Sequence, residues 1–409
     1  MKFHILENKY NINIDSLMSI GYRENNSKRN FLFISKCLGK HLIVNPEIIN
    51  LTGLLLTYEI FGKEMFCWNI EELVSLLEHP YPKMKETESY KKASHDLHKI
   101  NNSIVIGFAE TATAIGMPIS KAIGGYYVNT SREPITSIKS CLNFEETHSH
   151  ATSHQCFLRD ISYLKDAETV ILVDDEITTG NTMLHLIESL ERNLPNKKRK
   201  YIIASILDWR SLEDRLKFKK FSEENHIDIS CISLISGTFI IEDFTVFPKQ
   251  ECEIITETTS IIPIESSFMF HYERTSYGKE RYLSNTGRFG TNNFDRIETD
   301  CKSASEFISS TLNNEKRILV LGHGENIYIP SRIASYLNAD FRTTSRSPIY
   351  ISNDNNYPIK SKHKFLDRGV EYYFYDKDFI EQYYDKVIFI TETNGLNIKL
   401  CKNCCVYQL

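Results

Sequence analysis

Short apolar runs that alternate with amphipathic segments dominate the chain from about residue 100 onward. The runs predicted as strands are residues 103–106, 125–128, 169–173, 201–207 and 229–235. Helical spacing of apolar residues fills the gaps between the last three runs, at 183–190 and 212–221. Strands that alternate with helices indicate a parallel sheet joined by right-handed crossovers.

The pattern breaks between residues 240 and 300, where Thr, Ser and Glu predominate, and alternation resumes from Arg317. A chain of 409 residues predicts two or three domains at about 150 residues each. We therefore expect three parts: a first α/β domain at 1–245 with an N-terminal extension to about residue 100, a connecting segment at 246–295, and a smaller α/β domain at 296–409.

Composition excludes several classes of protein. The net charge of -5 lacks the basic footprint of non-specific nucleic-acid binding, so no nucleic-acid partner is expected. The longest apolar runs have only the length of strands, so we expect no membrane association. Ten cysteines without disulfide-like spacing suggest reduced thiols and a cytoplasmic location. The cluster of Cys401, Cys404 and Cys405 is compatible with buried thiols or with part of a zinc site.

A buried strand that runs directly into acids and hydroxyls occupies residues 170–182. Asp174 and Asp175 follow the strand, and a loop containing Gly180 opens an amphipathic helix. Backbone N–H groups of such a loop favour a phosphate. The carboxylates would repel a phosphate but accept hydrogen bonds well from ribose hydroxyls, so the stretch predicts a sugar-phosphate ligand. The residues assigned to the ribose 5-phosphate loop are Glu176, Thr178, Thr179, Gly180, Asn181 and Thr182.

This stretch resembles the 5-phosphoribosyl-1-pyrophosphate (PRPP) motif of type I phosphoribosyltransferases, with its strand, two acids and Thr-Thr-Gly-x-Thr loop. The resemblance implies a phosphoribosyltransferase-type parallel sheet flanked by helices. It also implies that Asp174 and Asp175 are catalytic, stabilising a ribosyl cation as pyrophosphate leaves. Mg²⁺ is the implied cofactor, held through substrate oxygens, with Glu110 as the one candidate side-chain contact.

A second segment fits the same resemblance. The strand at 103–106 leads into a loop of small residues that looks like the family's pyrophosphate loop, where backbone N–H groups would meet a diphosphate. An ordinary strand-to-helix loop is the alternative interpretation. The residues assigned to the pyrophosphate loop are Ala109, Glu110, Thr111, Ala112 and Thr113.

The polar stretch from Arg132 to about residue 160 resembles the mobile hood that closes over the substrate in type I enzymes and excludes water. It carries His148, His150 and His154 close together. Three interpretations stay open for these histidines: donors to pyrophosphate or base, metal ligands, or a solvated loop. Arg132 is assigned to the same anion-contacting group.

Further motifs narrow the resemblance to the phosphoribosyltransferases of bacterial tellurite-resistance (stress) operons. Residues 35–41 and the Glu-x-x-His-Ser-His-Ala stretch fit that subgroup, and Ser345-Arg346-Ser347-Pro348 resembles the signature of its C-terminal TRSP domain. The residues expected to contact anions in the first domain are Lys36, Lys40 and His41; those of the second domain are Glu325, Arg346 and Ser347.

The resemblance implies a transferase that attaches a nitrogenous acceptor to ribose 5-phosphate and serves synthesis of a nucleoside-like metabolite. Its small-molecule partners would be PRPP and an unidentified acceptor. The protein would either form a homodimer or associate with enzymes encoded in the same operon. The alternative function is a non-catalytic regulator of the same fold that senses PRPP or nucleotides. The second domain is either a binding module or a separate catalytic site with residues 322–325 and Arg346.

Overall fold

The computed structural model describes residues 1–26, 29–145, 153–194, 199–242, 245–265 and 268–409. The chain forms two compact units, each built from separate segments. Unit 1 comprises Met1–Ile14, Asn50–Ile241 and Ser284–Phe294. Unit 2 comprises Asp15–Ile49, Glu242–Leu283 and Asp295–Leu409.

The strands of the described chain are β1 (Lys2–Glu7), β2 (Met18–Tyr22), β3 (Phe31–Ser35), β4 (Ser103–Gly107), β5 (Tyr126–Ser131), β6 (Leu142–Glu145), β7 (Ser153–Cys156), β8 (Thr169–Ile177), β9 (Lys200–Asp208), β10 (Asp228–Ile240), β11 (Ile261–Pro263), β12 (Phe270–Thr275), β13 (Gly278–Leu283), β14 (Ile318–Gly322), β15 (Asp340–Thr343), β16 (Lys362–Asp367), β17 (Val370–Tyr375), β18 (Lys386–Thr391) and β19 (Cys404–Gln408).

The helices are α1 (Ile14–Leu17), α2 (Glu47–Phe61), α3 (Ile70–Glu78), α4 (Glu88–His95), α5 (Thr113–Ala122), α6 (Ser162–Lys165), α7 (Asn181–Asn193), α8 (Leu212–Asn225), α9 (Phe294–Ser310), α10 (Tyr328–Leu337) and α11 (Lys377–Tyr383), with a short 3₁₀ turn at Met84–Glu86. In the part of the chain that the structure describes, no helix combines the length and the apolar character needed to cross a membrane.

Unit 1 is organised around an eight-stranded sheet in the order β1-β10-β9-β8-β4-β5-β7-β6. The five strands from β10 to β5 run parallel, as the alternating pattern predicts. Their buried residues are mostly apolar, as expected of a parallel sheet that helices cover on both faces. The sequence pattern does not reveal β1, which lies at the edge, antiparallel to β10. The α/β fold class is confirmed.

Unit 2 contains a five-stranded parallel sheet in the order β11-β19-β18-β14-β15. Three antiparallel hairpins accompany it: β2–β3, β12–β13 and β16–β17. The strands expected at 318–321 and 387–390 are present as β14 and β18. The unit is thus a second α/β body with its own parallel sheet.

The two units do not follow the boundaries expected from the sequence at 245 and 296. The β2–β3 hairpin belongs to unit 2 because Leu32 and Ile34 share a buried apolar cluster with Tyr373 and Tyr375. The segment expected to connect the domains is divided as well. Its part up to Leu283 adds strands to unit 2, and its remainder belongs to unit 1.

Candidate functional site

The two loops that the sequence assigns to PRPP leave neighbouring strands of unit 1. Gly107 at the end of β4 pairs with Val173 of β8, one residue before Asp174. The Phe108 N–H donates to the Val173 carbonyl at 3.0 Å. The acid pair and the expected pyrophosphate loop therefore start side by side at the carboxyl edge of the sheet, where open α/β sheets bind their ligands.

The expected pyrophosphate loop is a tight, buried turn that leads into α5. The Ala109 N–H donates to Thr130 Oγ1 at 2.8 Å, and Thr113 Oγ1 donates to the Glu110 carbonyl at 3.0 Å. The Ala109–Glu110 peptide bond is cis. A Cβ on Gly107 would lie 2.5 Å from the Tyr127 hydroxyl, so this strand end admits only glycine. The structure places residues 109–113 in one turn, as the sequence predicts, and the bond to Thr130 joins that turn to β5.

Asp174 and Asp175 lie in the carboxyl-terminal half of β8 and are partly buried. Asp174 Oδ1 accepts the Asp175 N–H at 2.9 Å. This bond holds the Asp174 carboxylate close to the backbone of the strand. The two acids thus stand next to the start of the loop that opens α7, where a bound ribose phosphate would place its hydroxyls and its phosphate.

Gly180 is the N-cap of α7 and adopts the left-handed conformation, with φ of 74°. A Cβ there would meet the Phe218 ring at 2.5 Å (Cζ) and 2.7 Å (Cε2). Thr179 Oγ1 accepts the Asn181 N–H at 3.4 Å. Asn181 also accepts a hydrogen bond from Lys217 of α8. The loop therefore needs glycine for conformation and for space, and α8 brings a cation to its edge.

Sequence reasoning missed a buried ion pair beside this loop. Arg210 donates to both oxygens of Asp208, at 2.9 Å from Nε and 2.7 Å from Nη2, directly after β9. Arg215 adds a bond to Asp208 at 3.0 Å. The Arg210 guanidinium lies 4.3 Å from the Phe218 ring centroid. Burial opposes the charge of Arg210, but Asp208 and Cys231 together outweigh it and raise the pKa of Arg210. The sequence signal for this ion pair is the presence of charged residues at the end of a predicted parallel strand.

His154 of β7 is fully buried and links the hood to the expected pyrophosphate loop. Arg132 Nε donates to its Nε2 at 3.2 Å, and its Nδ1 lies 3.1 Å from Thr130 Oγ1. Because Nε2 accepts, we assign the ring as neutral with the proton on Nδ1, which donates to Thr130. The same Thr130 oxygen receives the Ala109 N–H. His148 and His150 lie outside the described residues.

The structure places Lys36, Lys40 and His41 in unit 2, not in the unit that carries the acid pair. Lys36 Nζ donates to the Asp15 carbonyl at 2.6 Å. His41 Nε2 lies 3.3 Å from Ser345 Oγ, within the Ser-Arg-Ser-Pro signature. Burial holds the pKa of His41 well below its ordinary value. The reason is that these residues directly follow the β2–β3 hairpin, which packs in unit 2; His41 is buried there, whereas Lys36 and Lys40 are partly exposed.

The three residues expected to form a site in the second domain lie near the carboxyl end of its sheet. Arg346 donates to the Tyr372 hydroxyl from Nε at 2.9 Å and from Nη2 at 2.7 Å. The Ser347 N–H donates to Ser345 Oγ at 3.1 Å. Glu325 is buried in the loop after β14. A cavity of about 560 Å³ near Ile318 lies at the opposite end of β14 and contains none of the predicted site residues.

Carboxylates at the edge of unit 1 are the donors that Mg²⁺ prefers. Among the described residues, however, no three His, Cys, Asp or Glu side chains cluster closely enough to hold a metal ion by themselves. Asp174, Asp175 and the buried Glu110 are carboxylates of the two segments and have the oxygen donors that such a cation takes.

Comparison with known proteins agrees with this geometry. Residues 17–238 match the phosphoribosyl transferase family, and residues 285–403 match the TRSP domain described as C-terminal to that transferase. More than half of the chain lies in the first match. The chain therefore belongs to the phosphoribosyltransferases and is an enzyme of that class, followed by a TRSP domain.

Solved structures with some likeness include adenine phosphoribosyl transferase from Trypanosoma brucei in complex with AMP, pyrophosphate and ribose-5-phosphate. The identity is 13%, the TM-score 0.32, and the match covers 58% of this chain and 87% of that one. A second is APRTase from Giardia lamblia complexed with 9-deazaadenine, with 17% identity, a TM-score of 0.22, and coverage of 39% and 83%. No curated protein matches the chain.

Proposed function

We propose that unit 1 transfers the phosphoribosyl group of PRPP to a nitrogenous acceptor, with Mg²⁺ held through substrate oxygens. The supporting observation is the pairing of Gly107 with Val173, which starts the small-residue loop and the acid pair at one edge. In the proposed reaction the C1–pyrophosphate bond breaks and a C1–nitrogen bond forms. The cation, when bound, would offset the charge of the leaving pyrophosphate.

Each loop has a separate part in this proposal. Residues 109–113 would receive the pyrophosphate through backbone N–H groups, and residues 178–182 would hold the 5′-phosphate at the start of α7. Asp174 and Asp175 would accept the ribose hydroxyls and stabilise the positive charge that develops on the ring. Arg132 and His154 would order the hood and, through Thr130, the Ala109 N–H.

We further propose that the product is a nucleoside-like metabolite of a stress pathway of the tellurite-resistance type. The transferase followed by a TRSP domain is the arrangement that supports this assignment. The acceptor belongs to the class of nitrogenous bases, and screening is the way to identify it.

The test is calorimetric titration of the full chain with PRPP and Mg²⁺, together with a pyrophosphate-release assay over a panel of bases. Asp174→Asn combined with Asp175→Asn should abolish release while the fold is retained. Asp228→Asn is the matched control, because it removes an exposed acid at the start of β10, at the opposite edge of the sheet and two strands away from β8. Full activity of the double variant would refute the assignment of the acids. Tight PRPP binding without release for any base would favour the non-catalytic sensor.

A further inference from the structure

The five-stranded sheet of unit 2 has a topological switch point of its own. From β14 the chain proceeds through α10 to β15 on one side, whereas from β18 it proceeds to β19 on the other side. Strands β14 and β18 are parallel neighbours. In open α/β sheets the crevice beyond the carboxyl ends of two such strands is the usual ligand position. The loops at this point are residues 322–326 and 392–395.

The first of these loops is anchored by His323, which is buried. Its Nε2 lies 3.1 Å from Asp367 Oδ2, and its Nδ1 lies 2.8 Å from Thr344 Oγ1. Burial opposes ionisation of Asp367, but the hydrogen bond from His323 and the charge of Arg368 outweigh it and lower the pKa of Asp367. A carboxylate only accepts, so Nε2 carries a proton. Both ring nitrogens are engaged, which makes His323 a positioning residue for the loop.

The hydroxyl group of Tyr372 lies between the loop after β14 and Arg346 of the Ser-Arg-Ser-Pro signature. The Tyr372 ring lies 4.3 Å from the His323 ring, and its hydroxyl receives both bonds from Arg346. Gly324 has φ of 56°, and a Cβ there would lie 3.3 Å from the same hydroxyl. The two bonds to Tyr372 fix the plane of the Arg346 guanidinium. The turn beside Tyr372 has no side chain at Gly324.

Asn326 supplies an independent observation at the end of the same turn. Its side chain is 5% exposed, and its Nδ2 has no hydrogen-bond partner among the described residues. A buried amide nitrogen without a partner is rare in folded proteins, because burial removes its water. The loop backbone is closed by a bond from the Asn326 N–H to the His323 carbonyl at 3.2 Å. The unpaired donor thus stands in the loop that the topology marks as a ligand position.

We propose that this carboxyl edge of unit 2 is a second ligand site, which takes the oxyanion of a hydroxylated small molecule. Arg346 is held by Tyr372 and brings a positive charge to this edge, which suits a phosphate or a carboxylate, and the Asn326 amide adds a donor. Glu325 and Glu392 lie in the two loops and are buried. Glu392 Oε2 also accepts the Leu283 N–H at 3.1 Å, and a carboxylate can accept more than one hydrogen bond, so acids at this edge favour a ligand that carries hydroxyl groups. Sugar phosphates and sugar acids share this chemistry.

The site does not depend on the transferase reaction of unit 1, and the experiment separates the two. The full chain is titrated calorimetrically with ribose 5-phosphate in one arm and with gluconate in the other. For ribose 5-phosphate we expect two sites in the unaltered chain, one in each unit. Asp174→Asn with Asp175→Asn should remove the site of unit 1, and Arg346→Gln should weaken that of unit 2 at least about tenfold.

Arg317→Gln is the matched control, because Arg317 precedes β14 at the opposite end of the strand and its side chain is 51% exposed. It should keep both sites. If Arg346→Gln does not fold, as judged by circular dichroism, Asn326→Asp replaces it. That change keeps the size of the side chain but sets a carboxylate against the oxyanion, so binding in unit 2 should again fall at least about tenfold.

Gluconate bound with the same dependence on Arg346 would identify a sugar acid as a ligand, and binding of ribose 5-phosphate alone would identify a sugar phosphate. Unchanged affinity and stoichiometry in Arg346→Gln, or in Asn326→Asp, would overturn the proposal. An equal loss in Arg317→Gln would overturn it as well, since the effect would then be one of general charge. If Arg346→Gln loses ribose 5-phosphate binding in unit 2 and Asp174→Asn with Asp175→Asn loses none, the site of unit 2 is upheld and the function proposed for unit 1 is contradicted.

Discussion

Replacing Gly180 by alanine should destabilise unit 1 by two separable effects. The backbone effect arises because φ is 74°, and alanine in this region costs roughly 1–2 kcal/mol. Part of that cost, about 0.4–1 kcal/mol, is offset because alanine also restricts the unfolded chain. The steric effect arises because the new Cβ would lie 2.5 Å from Phe218 Cζ. Overpacking of this kind costs about 1–3 kcal/mol.

The ring of Phe218 cannot easily move aside. It is buried, Arg210 lies over it at 4.3 Å, and Arg210 is itself fixed by two bonds to Asp208. The total expected for Gly180→Ala is therefore about 2–4 kcal/mol. Phe218→Leu in the same chain should recover part of the steric cost, so the two substitutions should not be additive.

Gly62 provides the matched control. Its φ is 76°, almost the same as that of Gly180, but a Cβ there would meet nothing within 4 Å. Gly62→Ala should cost about 1 kcal/mol or less, from the backbone effect alone. The difference between the two variants then isolates the contact with Phe218.

Tryptophan fluorescence during urea unfolding is the appropriate assay. The chain has two tryptophans, Trp68 and Trp209, and both belong to unit 1. Their signal therefore follows the unit that contains both glycines, whatever unit 2 does. Equal destabilisation by Gly180→Ala and Gly62→Ala would refute the steric part of the reasoning. Full additivity with Phe218→Leu would refute it independently.

Three further predictions concern other residues. His154→Gln should raise the KM for PRPP about tenfold with a smaller change in Tm, because the link to Thr130 and Ala109 is lost; an unchanged KM in steady-state assays would contradict this. Burial lowers the pKa of His41 in the folded chain, so below pH 6.5, the ordinary histidine pKa, the unfolded chain binds more protons than the folded chain. Unit 2 should therefore lose up to about 1.4 kcal/mol of stability for each pH unit of acidification below pH 6.5. His41→Gln should flatten that slope between about pH 6.5 and 5, and a calorimetric profile parallel to that of the unaltered chain would count against it. Arg210→Met should destabilise unit 1 by up to about 3–5 kcal/mol, and adding Asp208→Asn should recover stability, since the buried carboxylate loses its two-bond partner and keeps only the ion pair with Arg215; a double variant less stable than Arg210→Met in urea unfolding would refute this.

The sequence predicted those parts of the fold and the site whose information is local. The strand at 169–173, its two acids and the loop through Thr182 are contiguous, and hydrophobic pattern and residue types suffice to identify them. The neighbouring loop at 109–113 was found for the same reason. That β4 and β8 are neighbours, in the register that pairs Gly107 with Val173, is a finding of the structure.

What the sequence did not predict depends on contacts between distant residues. His41 and Ser345 are separated by 304 positions, and their proximity follows from the tertiary placement of the β2–β3 hairpin. Asp208 and Arg210 are close in sequence, but only the packing of Phe218 and Arg210 against Gly180 shows that the pair lies beside the loop that opens α7. Pattern alone gives no sign of β1, whose residues are mostly exposed.

The interleaved segments determine how the two proposed sites can be studied. A fragment ending at residue 245 would keep the β2–β3 hairpin but lose Tyr373, Tyr375 and Ile349, against which its Leu32 and Ile34 are buried. A fragment beginning at residue 296 would lack β11, which pairs with β19, and would lack His41 beside Ser345. Either cut exposes apolar surface or removes a strand, so loss of function in a fragment would report on folding. Point substitutions at Asp174, Asp175 and Arg346 in the full chain leave both cores complete, and they are the changes that can assign each activity to its unit.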